Sequence, residues 1–446
     1  MSAGYPGDVE RRVLFISLKF PPLSDIGAKR ALRLVRRLPG HGWRPTVLTL
    51  ARSGGALNDP SLEGYLPADA DVRRDYATGP LYRVIDGAKN QWSASVGRGV
   101  GDGQRAVSPL EKLVRRGIYV AEDLLEGSVV TDEWLPFVPS GVRAGQAILE
   151  DTPHSCVYVC GDPNSAYLAA WWLARRHKLP LVLDLRDPWA LDPTIKALKK
   201  PWAQWLEERL ERRIIADAAR VILNTEESRE LYRRHYPAEP ADKFEVVHNA
   251  YDEDLVDDAR PARPERLTIA HFGNYHRLRR AKVFLEGLAL HAQRAGGPPP
   301  RFVNYGEFRP DDLEHARSLG LEDAIDVRGY VPYKECLAHL RAAHVLLLEQ
   351  RNDEGVQMPG KLYDYLMARR PILSLSRNRE LTALLTTSGA GVNVDPSSPE
   401  AVARGLAHLA SLDPVEFERR LDLSGCERYS AAWTSRRVAE ILSAVA

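Results

Sequence analysis

No run of about 18 apolar residues occurs in this sequence, so no segment reads as a helix that spans a bilayer. The first residues, MSAGYPGDVERR, are polar, and the apolar run behind them is shorter than a secretion signal needs. The expected setting is therefore cytoplasmic, with any membrane contact made peripherally. Cysteine is scarce. Cys156, Cys160, Cys336 and Cys426 lack the paired CxxC spacing of a zinc site, so no metal is expected and the thiols read as reduced. Charge of one sign is missing too: 61 basic against 60 acidic residues leave a formal net charge of +1. That balance gives no whole-chain attraction to nucleic acid, and no strand set alternates basic residues with aromatics. The first strand is not followed by GxGxxG, which argues against a dinucleotide-dependent dehydrogenase. Internal repeats and low-complexity tracts are absent.

What remains is an ordinary globular composition, 44% hydrophobic and 27% charged. At 446 residues the chain exceeds what one core usually organises, which predicts two domains. Arg12 to Leu50 reads as strand, loop, helix, strand, the opening of a Rossmann-like α/β domain. The loop is Phe20 to Lys29, and the helix runs from Arg30 to Leu38. Gly27 in that loop either lets backbone N–H groups approach a ligand or simply makes the turn. Leu110 to Leu125 fits a core-facing helix, an acceptor groove or a segment lying on an anionic membrane. Further on, the strand Leu181 to Leu185 delivers DLRDPW, with Arg186 and Asp187 at its end. Strand ends are where α/β enzymes keep their working groups, although this pair also reads as a plain ion pair. A polar, Pro-bearing linker, DDARPARPER, divides the halves. Beyond it a strand ends in Gly273, and Arg277, Arg279, Arg280 and Lys282 follow. Guanidinium forks suit a diphosphate, and on sequence alone equally RNA or solvent.

The second half is organised around HVLLLEQRNDEGVQMPGKLYDYLMARRPILSLS, from His344 to Ser376. Val345 to Leu348 reads as a buried parallel strand, and Pro371 to Leu375 as a second. Between them Pro359 marks the first helical position, because its fixed φ suits it and its missing N–H is not needed there. Lys361 and Asp364 then share one face of the helix. Free N–H groups at the helix start favour an anion, and Lys361 adds a mobile positive charge. A phosphate would fit there, with Asp364 one turn on able to take hydrogen bonds from vicinal hydroxyls. An exposed ion pair is the plain alternative.

PGKLYDYLMARRPIL resembles the donor-nucleotide segment of glycosyltransferase family 4, enzymes of the GT-B fold. FPPLSDIGAKRALRLVRRL is similar to the first loop and helix of that family, where a Gly-rich turn faces the donor phosphates and acceptor. DLRDPW is similar to a string in bacterial members that build surface polysaccharides, and HNAYDED to the turn that closes the first domain. Val356 stands where many members carry a first Glu, with Glu354 two residues earlier, and no His stands near DLRDPW.

The resemblance implies an α/β protein of the GT-B fold, two Rossmann-like domains facing each other across a cleft. Residues 1–256 would form the acceptor-side domain, 257–427 the donor domain, and a helix from about 428–446 would pack back on the first. The implied activity is a retaining, metal-independent transfer of a sugar from a nucleotide-sugar, a UDP- or GDP-sugar foremost, to a hydroxyl of a glycan, glycolipid or small molecule. Arg186 and Asp187, with Arg279 and Lys282, would serve the transfer. Gly27, Gly273, Arg279, Lys282, Tyr330, Glu354, Pro359, Gly360, Lys361 and Asp364 would hold the donor, which is a co-substrate rather than a cofactor. A catalytically silent nucleotide-sugar-binding or scaffold subunit is the alternative from another class, and an epimerase on the same fold a third.

Overall fold

The computed structural model describes residues 11–50, 58–76, 130–132, 134–255, 262–276, 279–350 and 356–446. The segment Leu110 to Leu125, Arg277 and Glu354 lie outside them. The chain divides into two compact units, Met1–Val246 with Arg436–Ala446, and Val247–Ser435.

The first unit is built on a seven-stranded parallel sheet. Its strands are β1 (Arg11–Ile16), β2 (Trp43–Leu50), β3 (Asp71–Tyr76), β4 (Cys156–Cys160), β5 (Leu181–Arg186), β6 (Arg220–Leu223) and β7 (Phe244–Val246). They run in the order β3-β2-β1-β4-β5-β6-β7. Helices α1 (Ile26–Arg37), α2 (Phe137–Asp151), α3 (Ser165–His177), α4 (Pro201–Asp217) and α5 (Glu226–His235) connect them. Every residue of β4, CVYVC, is buried, as the near-continuous apolar run of a covered parallel strand requires. Cys156 and Cys160 are free buried thiols within it.

Helix α1 begins at Ile26, four residues earlier than its apolar periodicity indicates. The Asp25 carboxylate caps it by accepting the Ala28 N–H at 2.8 Å. Gly27 is therefore the second residue of a helix and not part of a loop.

In the second unit a six-stranded parallel sheet holds β8 (Thr268–Phe272), β9 (Arg301–Tyr305), β10 (Ile325–Val327), β11 (Val345–Glu349), β12 (Ile372–Leu375) and β13 (Gly391–Val394), in the order β10-β9-β8-β11-β12-β13. Its helices are α6 (Lys282–Ala295), α7 (Pro310–Ser318), α8 (Tyr333–Ala342), α9 (Lys361–Ala368), α10 (Arg379–Ser388), α11 (Pro399–Ala410) and α12 (Pro414–Arg420). Leu347 and Leu373 of the central strands pack with Phe284, Leu288 and Leu406. Burying each such side chain contributes about 1.5–3 kcal/mol.

The second unit begins at Val247, not after residue 256. Tyr251 bridges to Ser430, and the Glu253 carboxylate accepts the N–H groups of Ala431 and Ala432 at 3.0 and 2.9 Å, tying this stretch to the start of α13 (Ala431–Val445). From Arg436 onward α13 belongs to the first unit, where Arg437 meets Glu245 at 2.9 Å and Ser443 accepts the Trp43 indole N–H at 3.1 Å.

In both sheets the order of strand addition reverses once. In the first the chain moves outward from β1 and returns on its other side at β4; in the second the same happens at β8 and β11. The crevice outside the carboxyl ends of such strand pairs is the binding position of open α/β sheets.

Candidate functional site

At the second unit's switch point, β8 ends in His271 and Phe272 with Gly273 just after it, and β11 ends in Glu349. Helix α9 starts with Lys361 behind the cap Gly360, and the Pro359 carbonyl accepts the Leu362 N–H at 3.0 Å. Pro359 thus precedes the cap instead of occupying the first helical position. Tyr365 fixes this helix to both strands. Its hydroxyl donates to the Leu347 carbonyl at 3.1 Å and accepts the Phe272 N–H at 3.2 Å.

Lys361 turns back toward the strand ends, its ammonium 3.4 Å from His271 Nε2. Gly273 makes that possible, because a Cβ there would collide with Lys361 Nζ. Burial, then the nearby Arg279 guanidinium, pushes the Lys361 ammonium down to about 7, with Glu349 opposing. Burial and the same two cations hold His271 far below the usual imidazole range, so it stays neutral and accepts from Lys361. Glu349 is raised by burial to about 7, against the pull of the Tyr275 hydroxyl, Arg279 and Lys361. Arg279 is set by reciprocal backbone bonds with His276 at 3.0 and 2.8 Å, and its Nε is buried with no hydrogen-bond partner among the described residues. Neither Arg279 nor Lys361 has a carboxylate within ion-pair distance among those residues. Asp364, one turn along α9, accepts the Tyr333 hydroxyl at 2.7 Å. Val327, the last residue of β10, and Tyr330 beyond it stand exposed, and between them Gly329 takes φ +69°.

Lys282 is not brought to this cluster. It opens α6 with its side chain 63% exposed and leans toward Glu286 at 3.9 Å. Sequence proximity to Arg279 concealed this, because the helix begins at Lys282 and turns its first residue outward. His271, Tyr275 and Glu349 were the functional candidates sequence reasoning missed. A terminal Glu on the apolar run VLLLE was the available signal.

The first unit gathers a different set at its own switch point. Arg186, at the end of β5 with φ +55°, is buried and bonds Asp162 at 2.5 Å and Asp187 at 3.1 Å. Lys19, after β1, bonds Asp162 at 2.8 Å and Asp25 at 3.2 Å. A Cβ on Gly27 would lie 2.7 Å from the Arg186 guanidinium, so this glycine lets α1 pass close by. Asp162 is held far below the usual carboxylate range by Arg186 and Lys19, which outweigh its burial. Burial raises Asp187. Beneath them Arg30 grips Asp184 through Nε at 2.7 Å and Nη2 at 3.0 Å, and the Tyr158 hydroxyl adds a third bond at 2.5 Å. Among the described residues no group of three His, Cys, Asp or Glu side chains is placed to hold a metal.

The profile of the glycosyl transferase 4-like domain matches residues 27–250, half of the chain. The chain belongs to the glycosyl transferase 4-like family. No curated protein matches the sequence. HepE of Anabaena, solved in complex with UDP and glucose, superposes on this family member with a TM-score of 0.63 at 13% identity, covering 97% of this chain and 100% of HepE. WaaG, a glycosyltransferase involved in lipopolysaccharide biosynthesis, gives 0.58 at 13% identity over 97% and 99% of the two chains. The UDP-GlcNAc 2-epimerase of Neisseria meningitidis, bound to UDP-GlcNAc, gives 0.56 at 14% identity over 97% and 100%. These likenesses show the GT-B fold. They do not choose between transfer and epimerisation, because both chemistries occur on it.

Proposed function

We propose that this glycosyl transferase 4-like protein takes a sugar from a nucleotide-sugar, a UDP-sugar foremost, and places it on a hydroxyl of a glycan, glycolipid or small-molecule acceptor. The observation that carries this reading is the pair of cations, Lys361 and Arg279, standing near the start of α9 with no carboxylate ion pair among the described residues. Two positive groups beside a helix N-terminus form a seat for a diphosphate. HepE, solved with UDP and glucose, lends the donor class.

In this reading Lys361, Arg279 and the N–H groups after Pro359 and Gly360 hold the diphosphate, for which Gly273 leaves room. Asp364 holds the ribose, and the backbone from Val327 to Tyr330 lines the base. As the glycosidic bond breaks, negative charge grows on the leaving phosphate, and preorganised cations stabilise it more than they stabilise the intact donor. The acceptor hydroxyl loses its proton to that phosphate on the same face, which retains the anomeric configuration and needs neither metal nor protein nucleophile. The first unit takes the acceptor, with Arg186 fixing the carboxylates of Asp162 and Asp187 for its hydroxyls.

A thermal-shift panel of UDP-, GDP-, ADP- and TDP-sugars tests the donor assignment, since a ligand of the native state raises the melting point by mass action. The best donor should shift the parent protein and not the Asp364→Ala variant. Equal shifts in both would refute the pocket. Val356, buried where many members have a Glu, favours the catalytically silent subunit as a second reading. Donor turnover with an acceptor present decides between them, and donor conversion without one would indicate an epimerase.

A further inference from the structure

Ten large hydrophobic side chains stand exposed among the described residues, and four of them fall between Ile195 and Trp205. Ile195 and Leu198 are 41% and 57% exposed, Trp202 and Trp205 53% and 61%. Their placement follows from local structure. A single helical turn, Pro193–Lys196, runs on through Leu198, whose N–H bonds the Ile195 carbonyl at 3.0 Å; Pro201 then opens α4. Spacing of three residues puts Ile195 beside Leu198, and Trp202 beside Trp205. On α4 the buried face is Ala203, Glu207, Glu211, Ile214 and Ile215, so the tryptophans project on the opposite side.

The charges around this patch are sorted. Glu207 and Glu211 are turned into the protein, Glu207 toward Lys199 and the Thr131 N–H, Glu211 toward the hydroxyls of Tyr232 and Tyr236. Glu208 is taken up by Lys196 and Gln204. Outward, α4 continues the tryptophan stripe with exposed Arg209, Arg212 and Arg213; Arg213 pairs with Asp217 at 3.5 Å at the far end of the helix, and Arg209 lies 5.5 Å over the Trp205 ring. Lys200 precedes it. The result is an apolar tip with Lys200 and Arg209 beside it and the nearby carboxylates of Glu207, Glu208 and Glu211 taken up by other groups.

We infer that this tip, Ile195, Leu198, Trp202 and Trp205 with Lys200 and Arg209 beside them, docks the protein on an anionic lipid bilayer. Three of the four, Leu198, Trp202 and Trp205, stand more than half exposed and so project rather than line a groove, as insertion at a headgroup boundary requires. Basic neighbours supply attraction to anionic lipid. A second copy of the chain would set arginine against arginine. A glycan platform would want flat aromatics with hydrogen-bonding side chains, not a leucine and an isoleucine. The inference stands apart from the donor assignment, since none of these residues belongs to that pocket.

Co-sedimentation of the full chain with vesicles of phosphatidylcholine, alone or mixed with phosphatidylglycerol, tests it. The parent protein should pellet with the mixed vesicles only, less so at high salt, and its tryptophan emission should shift to the blue. Trp202→Ala with Trp205→Ala should weaken binding about tenfold or more and remove the blue shift. Lys200→Gln with Arg209→Gln should weaken binding to mixed vesicles while sparing the melting point. The melting point and the donor-induced shift should be unchanged in both variants. No pelleting by the parent, pelleting unaffected by the tryptophan changes, or a self-association or glycan binding that depends on the tryptophans would each overturn it.

Discussion

The two switch points share a frame and differ in their electrostatics. In the first unit each cation is answered: Arg30 by Asp184, Arg186 by Asp162 and Asp187, Lys19 by Asp162 and Asp25. In the second, Lys361 and Arg279 face a neutral imidazole and a carboxylate whose burial drives it toward its neutral form. A closed network is finished without a ligand, and an open one is finished by an anion. On this ground the proposed reading seats the donor diphosphate at α9 and the uncharged, hydroxyl-bearing acceptor at β4 and β5.

Removing one cation from each unit gives the largest test, because the signs should oppose. Arg30→Met strands Asp184, which is fully buried, and breaking such a pair costs about 3–5 kcal/mol. Lys361→Met removes a charge that burial penalises. Its folded value lies below that of the unfolded chain, so the penalty grows as pH falls from the ordinary lysine range to about 7 and is full below that. Near neutral pH the methionine variant should therefore be more stable, by about 1–2 kcal/mol after allowance for partial exposure. Denaturant melts of both variants check this, and a destabilised Lys361→Met would show that the second network is closed after all.

How much of this contrast could be read in advance varies with the kind of signal. Apolar strands announce themselves, so VLLLE, LVLDLR and ILSL were placed within a residue or two. Starts of helices were harder. The apolar stripe of α1 begins later than its hydrogen-bonded turn, so the pattern alone does not show Asp25 as the cap and leaves Gly27 in a loop. Lys361 and Asp364 are legible from spacing and resemblance, yet the groups around them, His271 on β8, Tyr275 in the loop after it and Glu349 at the end of β11, lie far away in sequence. Nothing local links such residues, and only the sheet order brings them together. For the same reason Asp162 and Lys19 were invisible beside Arg186.

A smaller effect concerns protons. Binding a diphosphate should raise Lys361 from about 7 and raise Glu349 as well, because an added anion favours the positive lysine and the neutral acid. Both changes take up protons. Donor affinity should therefore weaken as pH rises through 7, by up to about tenfold per unit for each group, and level off on the acid side. UDP-glucose suits the measurement, since its diphosphate does not titrate there. Calorimetry in buffers of different ionisation enthalpy should show net uptake for the parent protein and less for Lys361→Met. Affinity that is flat from pH 6 to 9 would mean that Lys361 does not touch the donor.

The smallest effect separates two basic neighbours. Arg279 and Lys282 lie three residues apart, and a helix or turn reading treats them as one patch. The structure separates them: Arg279 is directed toward Lys361 and Glu349, while Lys282 is exposed beside Glu286. A charge so exposed is screened by solvent, and its pair with Glu286 is worth a few tenths of a kcal/mol. Lys282→Ala should leave donor affinity within about twofold, whereas Arg279→Ala, which removes a half-buried charge from the diphosphate, should cost about tenfold or more. Titrating both variants with one UDP-sugar decides the matter. Equal losses would mean that Lys282 swings inward when the donor binds, and the cationic seat would then hold three groups rather than two.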